Sequence, residues 1–377
     1  MLLSACGAVE GQPAPVASTS SEVGVVDVLS GPESCLPNAK AAPAGALIFR
    51  VRNIGMDVAE FYVRRTSDDS IVTEVENIPP KLTRDLVVQL DAGDYYVTCV
   101  PKMRGEGYHA SFTMLPNAAE VANKADDAGL LEASAGYADY VREQSQQLLD
   151  KTQRFVTAVK SGQLATARDI YPDARAHWER IEPVAESFGD LDPKLDLREA
   201  DLETGQEWTG WHLLEKYLWP PASGYRALTP KQVDHYADDL LVNTRDLATR
   251  VADFGFKPFQ MANGAKELLD EVATGKVTGE EEIWSGTDLW DFQANVEGAL
   301  QVFTLLKPVV QVRDPALAGE LDRRFAEVFD LPAKQTSGDG FRSYSELSKA
   351  QVRELAIAVD ALAEPISRLA VAVVNSH

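Results

Sequence analysis

Near Pro116 the hydrophobic rhythm of the chain changes, and that change limits the possible folds more than any other feature. From Val23 to about Leu115, apolar residues alternate in short runs broken by Gly, Pro and Asn, with Leu47, Phe49 and Val51 on one face, then Phe61 and Val63, then Tyr95, Val97 and Cys99. A period of two between turn residues predicts strands, enough for a β-sandwich of about 95 residues. From Ala118 onward the apolar positions recur at helical spacing, as in Tyr137, Val141, Leu148, Phe155 and Val159. Breaks at Ser161-Gly162, Phe188 to Pro193, Trp219-Pro220-Pro221, Phe254-Gly255, Gly275 to Gly279 and Ser337 to Gly340 divide this part into helices that suit a bundle. The expected class is therefore α+β and multidomain: residues 1–22 a flexible tether, 23–116 a β-sandwich and 117–377 an all-α helical bundle.

At 377 residues the chain exceeds the usual size of a single core, in keeping with two compartments. A net charge of −22, most of it after residue 118, repels phosphate backbones and excludes nucleic acid as a partner. The same field gathers cations. No apolar run approaches the ~20 residues needed to cross a bilayer. At the N-terminus, Leu3-Ser4-Ala5-Cys6 followed by Gly7 has the pattern of a bacterial lipobox, the end of a signal peptide that continues upstream. Cys6 is then the lipidated residue, and the Pro- and Ser-rich stretch from Gly11 to Ser21 is the tether behind it. The expected location is extracytoplasmic, anchored through lipid to the outer face of the cytoplasmic membrane, or periplasmic.

With Cys6 assigned to lipid, Cys35 and Cys99 remain, an even pair in an exported chain. They admit two readings. A disulfide closing so long a loop would stabilise the domain by about 4 kcal/mol in the chain-entropy model. Alternatively, the thiolates join Glu60, Glu74, Glu76 and the thioether of Met103 in a site for copper or iron, and this company tips the reading toward metal. Cys99 with Met103 four residues on is similar to the ligand loop of cupredoxins. The similarity is partial, because His109 falls after both, so a blue-copper site with two imidazoles is not supported.

In the helical part, Gly210-Trp211-His212-Leu213-Leu214-Glu215-Lys216-Tyr217-Leu218-Trp219 sets one of only five histidines and a carboxylate one turn apart on the same helix face. Two ligands rarely hold an ion, so partners are needed. Glu179, Glu182 and Glu186 form a carboxylate stripe upstream, and Asp288 and Asp291 repeat the three-residue step downstream. One imidazole among many carboxylates favours iron, as Fe2+ or Fe3+, with zinc or calcium as other occupants. A zinc peptidase presents His-Glu-x-x-His, and di-iron bundle enzymes present paired Glu-x-x-His motifs. Here the order is His-x-x-Glu with no second histidine nearby, so binding and delivery is expected rather than turnover.

Together, Trp208-Thr209-Gly210-Trp211-His212-Leu213-Leu214-Glu215, the run Thr287-Asp288-Leu289-Trp290-Asp291-Phe292, and Glu74-Val75-Glu76-Asn77-Ile78 with Cys99 resemble the EfeO family of iron-uptake lipoproteins. The helical part of that family is imelysin-like. The resemblance covers nearly the whole chain and implies a cupredoxin-like β-domain ahead of an imelysin-like bundle. It implies metal ligands at His212 and Glu215, and in the β-domain at Cys35, Glu60 and Cys99. An iron permease and a haem peroxidase of the Dyp type are the implied partners. Many relatives carry His directly before the Thr-Asp-Leu-Trp-Asp run, where this chain has Gly286. The competing readings are an imelysin-like metallopeptidase and a polysaccharide-binding surface lipoprotein.

Overall fold

The computed structural model describes residues 23–117, 128–338 and 340–374, apart from the side chain of Glu186. Cys6 and the tether lie outside the described residues. The first part is a sandwich of two sheets. One has the order β2-β1-β4-β7, formed by Ser34–Pro37, Gly24–Gly31, Gly45–Asn53 and Thr83–Leu90. The other has the order β3-β9-β8-β5-β6, formed by Ala41–Pro43, Tyr108–Leu115, Gly93–Pro101, Ala59–Arg65 and Ile71–Ile78. In β4 the alternation is complete: Leu47, Phe49 and Val51 are buried while Arg50 and Arg52 face solvent. Phe49 meets Phe61 of β5 and Phe112 of β9 at ring-centroid distances of 5.5 and 5.1 Å, so the two inner faces share one core.

The expectation that Cys35 and Cys99 supply thiolates to a metal is overturned here. Cys35 of β2 and Cys99 of β8 form a disulfide with a Cα–Cα distance of 5.3 Å, joining the two sheets. A disulfide sulfur carries no thiolate charge, and the soft ligands that copper would require are consumed in the bond.

The second part is helical. Its long helices are α1 (Ala128–Lys160), α2 (Leu164–Glu179), α5 (Pro230–Arg250), α6 (Pro258–Thr274), α7 (Asp288–Arg313), α8 (Pro315–Ala333) and α9 (Lys349–Ile366). Two short helices, α3 (Asp192–Asp196) and α4 (Trp211–Leu218), lie in the connection between α2 and α5, and α10 (Leu369–Val374) closes the bundle. Helix α1 packs on α2, α5 and α7, and α2 on α7. Helix α6 packs on β6 and β7 at the contact between the two parts, and α10 also packs on β7. Asn263 donates to the Val87 carbonyl at 2.7 Å and to Thr73 Oγ1 at 3.2 Å, and Gln260 donates to the Val72 carbonyl at 2.6 Å. With β6 held against α6, the carboxylates of Glu74 and Glu76 face a cleft whose opposite wall is helical.

Candidate metal centre

His212 sits on a helix of eight residues, and the glycine before it decides where that helix lies. Gly210 has φ 86°, and a Cβ there would lie 2.3 Å from the carbonyl oxygen of Leu195. Glycine therefore lets the start of α4 press on the end of α3 and sets His212 beside Asp196. Trp211 turns into the core against Phe155 and Tyr171, with ring centroids 4.9 and 5.6 Å apart. Gly210→Ala combines a backbone clash with a left-handed φ. It is expected to cost about 2 kcal/mol or more and to weaken metal binding, which thermal unfolding and metal titration of the variant will check.

The imidazole of His212 is fully buried and has carboxylates at both edges. Nε2 lies 3.4 Å from Asp196 Oδ1 and 3.5 Å from Glu281 Oε1. Nδ1 lies 3.6 Å from Glu215 Oε2 and 3.8 Å from Glu282 Oε1. Neither ring nitrogen has a hydrogen-bond partner, nor does Glu215 Oε2. Buried polar atoms are almost always paired, so these orphans at ligand-to-ligand spacing fit a cation held through one ring nitrogen, at Nε2 with Asp196 and Glu281 or at Nδ1 with Glu215 and Glu282. The other oxygen of Glu215 accepts the backbone N–H groups of Trp284 at 3.0 Å and Ser285 at 2.7 Å, which fixes the carboxylate with Oε2 turned to His212.

Around this histidine the charge is unbalanced. Arg175 of α2, fully buried, pairs with Glu179 and Asp196, with Glu282 at 2.5 Å, and lies 3.5 and 3.6 Å from Asp291 and Glu281. Lys276, also buried, pairs with Glu182 at 2.5 Å and Glu179 at 3.1 Å. With Glu215 and Asp288, the carboxyl groups still far outnumber these two cations and Arg198, which reaches Glu281 from the cleft, and this leaves the cluster anionic unless it takes up protons or metal.

The proton affinities follow. Burial and the Arg175 charge push the His212 imidazole down, but Asp196, Glu215 and Glu281 outweigh both and hold it well above its usual range. Burial raises Glu281, yet Lys276 and His212 bring it down to about 2. Burial raises Glu282 and Asp291 well above the carboxylate range, and lifts Asp288 to about 6.

One face of the site lies against a cleft. A cleft of about 750 Å³ runs between the sandwich and the bundle, and Asp196 and Glu281 are on its wall. The Nε2 edge of His212 lies directly behind them. Among the described residues, the groups of three or more His, Cys, Asp or Glu side chains close enough to share an ion are the two at His212.

Comparison with known proteins gives the family. The imelysin (Peptidase M75) family profile matches residues 133–369. The iron uptake system component EfeO of Yersinia pestis is 36% identical over 358 residues, covering 94% of this chain and 92% of that protein. The chain belongs to the EfeO family. The iron uptake system component EfeO of Escherichia coli O157:H7 is 34% identical, covering 93% of this chain and 92% of that protein.

In this EfeO-family chain the sequence-predicted ligands divide. His212 and Glu215 come together, and Asp291 faces Arg175, which pairs with the Asp196 and Glu282 beside His212. Neither Asp291 oxygen makes a hydrogen bond. Asp288 instead accepts the Glu282 N–H at 3.1 Å and so ties the loop that carries Glu281 and Glu282. Glu182 faces Lys276 and Asn295 rather than His212. Glu186 falls outside the described side chains. In the β-domain, Glu60 accepts from the Tyr62 hydroxyl at 2.8 Å, and Glu60, Glu74, Glu76 and Met103 line the cleft without forming a cluster with the cysteines. Sequence reasoning missed Asp196, Glu281, Glu282, Arg175 and Lys276. The run Glu280-Glu281-Glu282 ahead of Trp284 was the one available signal.

Gly286 also has a structural reason. Its φ is 70°, a Cβ would lie 2.4 Å from Ser343 Oγ, and its carbonyl accepts the Tyr344 N–H at 2.8 Å. A histidine at 286 does not fit this loop as it stands.

Proposed function

We propose that the chain is the extracytoplasmic iron-binding component of an iron uptake system, lipid-anchored through Cys6, that captures iron at His212 and delivers it to a membrane permease working beside a Dyp-type haem peroxidase. The observation that carries this reading is a fully buried histidine with both nitrogens unsatisfied, set between two pairs of carboxylates behind an acidic cleft. Membership of a family whose relatives are iron uptake components supports the choice of iron.

An ion arriving in the cleft meets Glu60, Glu74 and Glu76 on the sandwich wall and Asp196 and Glu281 on the helical wall. Carboxylates that line a cleft in low-dielectric walls concentrate cations and speed their capture. Asp196, Glu281 and Nε2 of His212 then form the outer pole, where the ion binds, while Glu215 and Glu282 face Nδ1 at the inner pole, where a carboxylate orients the imidazole. Hard oxygen donors with a single imidazole suit Fe2+ or Fe3+. Peptide hydrolysis is less well supported. His212 is the one imidazole of the cluster, and the Glu215 oxygen that would act as base is aimed at it. Capture and delivery require no turnover.

The test is iron titration of the purified chain by dialysis over a range of pH, with one ion bound per chain as the expected result. The sign of the pH effect follows from the ion-free site. His212 keeps a proton above its ordinary value near 6.5, and an ion must displace that proton to bind. Affinity should therefore fall on acidification through neutrality, fall further where Asp288 protonates at about 6, and keep rising above pH ~7. An affinity that is flat across this range, or absent throughout, would overturn coordination by His212.

A further inference from the structure

Glu281 is the carboxylate that joins cleft and site, and three cations surround it. Arg175 Nη2 lies 3.6 Å and Lys276 Nζ 3.9 Å from its Oε1, both on fully or nearly buried side chains. The third, Arg198, approaches Oε2 from the cleft with Nη1 at 3.4 Å and has a side chain 26% exposed. The grip of Arg198 is uneven. Its Nε donates to Asp201 at 2.8 Å, a firm bond at the cleft rim. The far end of the fork is shared between Glu280 at 3.3 Å and Glu281 at 3.4 Å, both near the limit of a hydrogen bond. A guanidinium pinned at one nitrogen and held loosely at another can pivot about the pinned end. When it does, Glu281 gains an oxygen facing the cleft while Arg198 stays charge-paired to Asp201.

We propose that Arg198 is a latch on the outer pole: pivoting on Asp201, its guanidinium must leave Glu281 before an incoming cation takes that carboxylate, and it reclaims Glu281 as the ion departs. This inference rests on the reading of His212 as the ion site. Arg198 is a positioning residue that acts through Glu281 and sets how fast the ion exchanges. A carrier that must hand its cargo on benefits from such a built-in competitor, because a cation tethered next to a ligand favours release.

The experiment is stopped-flow loading and release of Co2+, used as an optical probe, on the full chain and on Arg198→Gln, Arg198→Lys and Arg104→Gln. Arg104 lines the same cleft and controls for loss of charge alone. Arg198→Gln is expected to load about ten-fold faster, equivalent to about 1.4 kcal/mol off the barrier, and to release several-fold more slowly. Arg198→Lys keeps the charge without the fork and should fall between the two, while Arg104→Gln should change loading by less than about two-fold. Equal acceleration in Arg198→Gln and Arg104→Gln would show a field effect and overturn the latch. So would unchanged or slower loading in Arg198→Gln. Adding His212→Ala to Arg198→Gln separates the two claims: loss of Co2+ binding keeps the site reading whatever the latch does, and retained binding removes the site reading itself.

Discussion

His212→Ala is expected to lower iron affinity by at least about a hundred-fold, the largest functional effect of any single substitution in this chain. The size follows from what the imidazole does. It is the one nitrogen donor of the cluster, and both of its edges face carboxylate oxygens at 3.4 to 3.8 Å. Removing it takes the nitrogen from both groups of three that could hold an ion, and no other such group exists among the described residues. His212→Asn is the companion variant, since it keeps polarity and much of the volume in a site that an alanine would leave partly empty. Glu215→Gln should also weaken binding, because the Trp284 and Ser285 N–H groups claim the one amide oxygen and turn the NH2 toward His212. Metal analysis after purification without added metal decides the matter. Equal iron in wild type, His212→Ala and His212→Asn would remove the ion from this site.

How much of this was legible in the sequence depends on how local each feature is. The switch from period two to helical spacing near Pro116 is carried by neighbouring residues, and the sheets and helices follow it. The pairing of His212 with Glu215 is equally local, one turn of one helix. The remaining walls of the site are not. Asp196 ends a helix of five residues, and reaches His212 because Gly210 allows α4 to touch Leu195. Glu281 and Glu282 sit in a loop ahead of α7 that Asp288 ties in place, so two members of an acidic triplet that reads as solvated are turned inward while Glu280 stays exposed. Arg175 reads as an ordinary charge on an amphipathic helix and is instead fully buried among five carboxylates. Periodicity reports which face of an element is apolar, and it is silent about buried ions that compensate one another across elements.

The cysteines show the same limit and lead to the second large effect. Whether two thiols 64 residues apart bond or bind metal depends on a Cα–Cα distance that only the stacking of two sheets fixes. With the disulfide formed, the double variant Cys35→Ala/Cys99→Ala is expected to lose about 4 kcal/mol of stability, the chain-entropy value for a loop of that length. The bond ties β2 in one sheet to β8 in the other. Its loss therefore falls on the sandwich, and denaturant unfolding should show a lower midpoint for the β-sheet signal. Iron bound at His212 should not change, because none of the His212 contacts crosses to the sandwich. The two readouts together discriminate between the roles open to these residues. Lower stability with unchanged iron is the signature of a structural disulfide in an oxidising compartment, where such bonds persist. A double variant that unfolded like the wild type and lost a bound ion would restore the thiolate site and overturn the pairing.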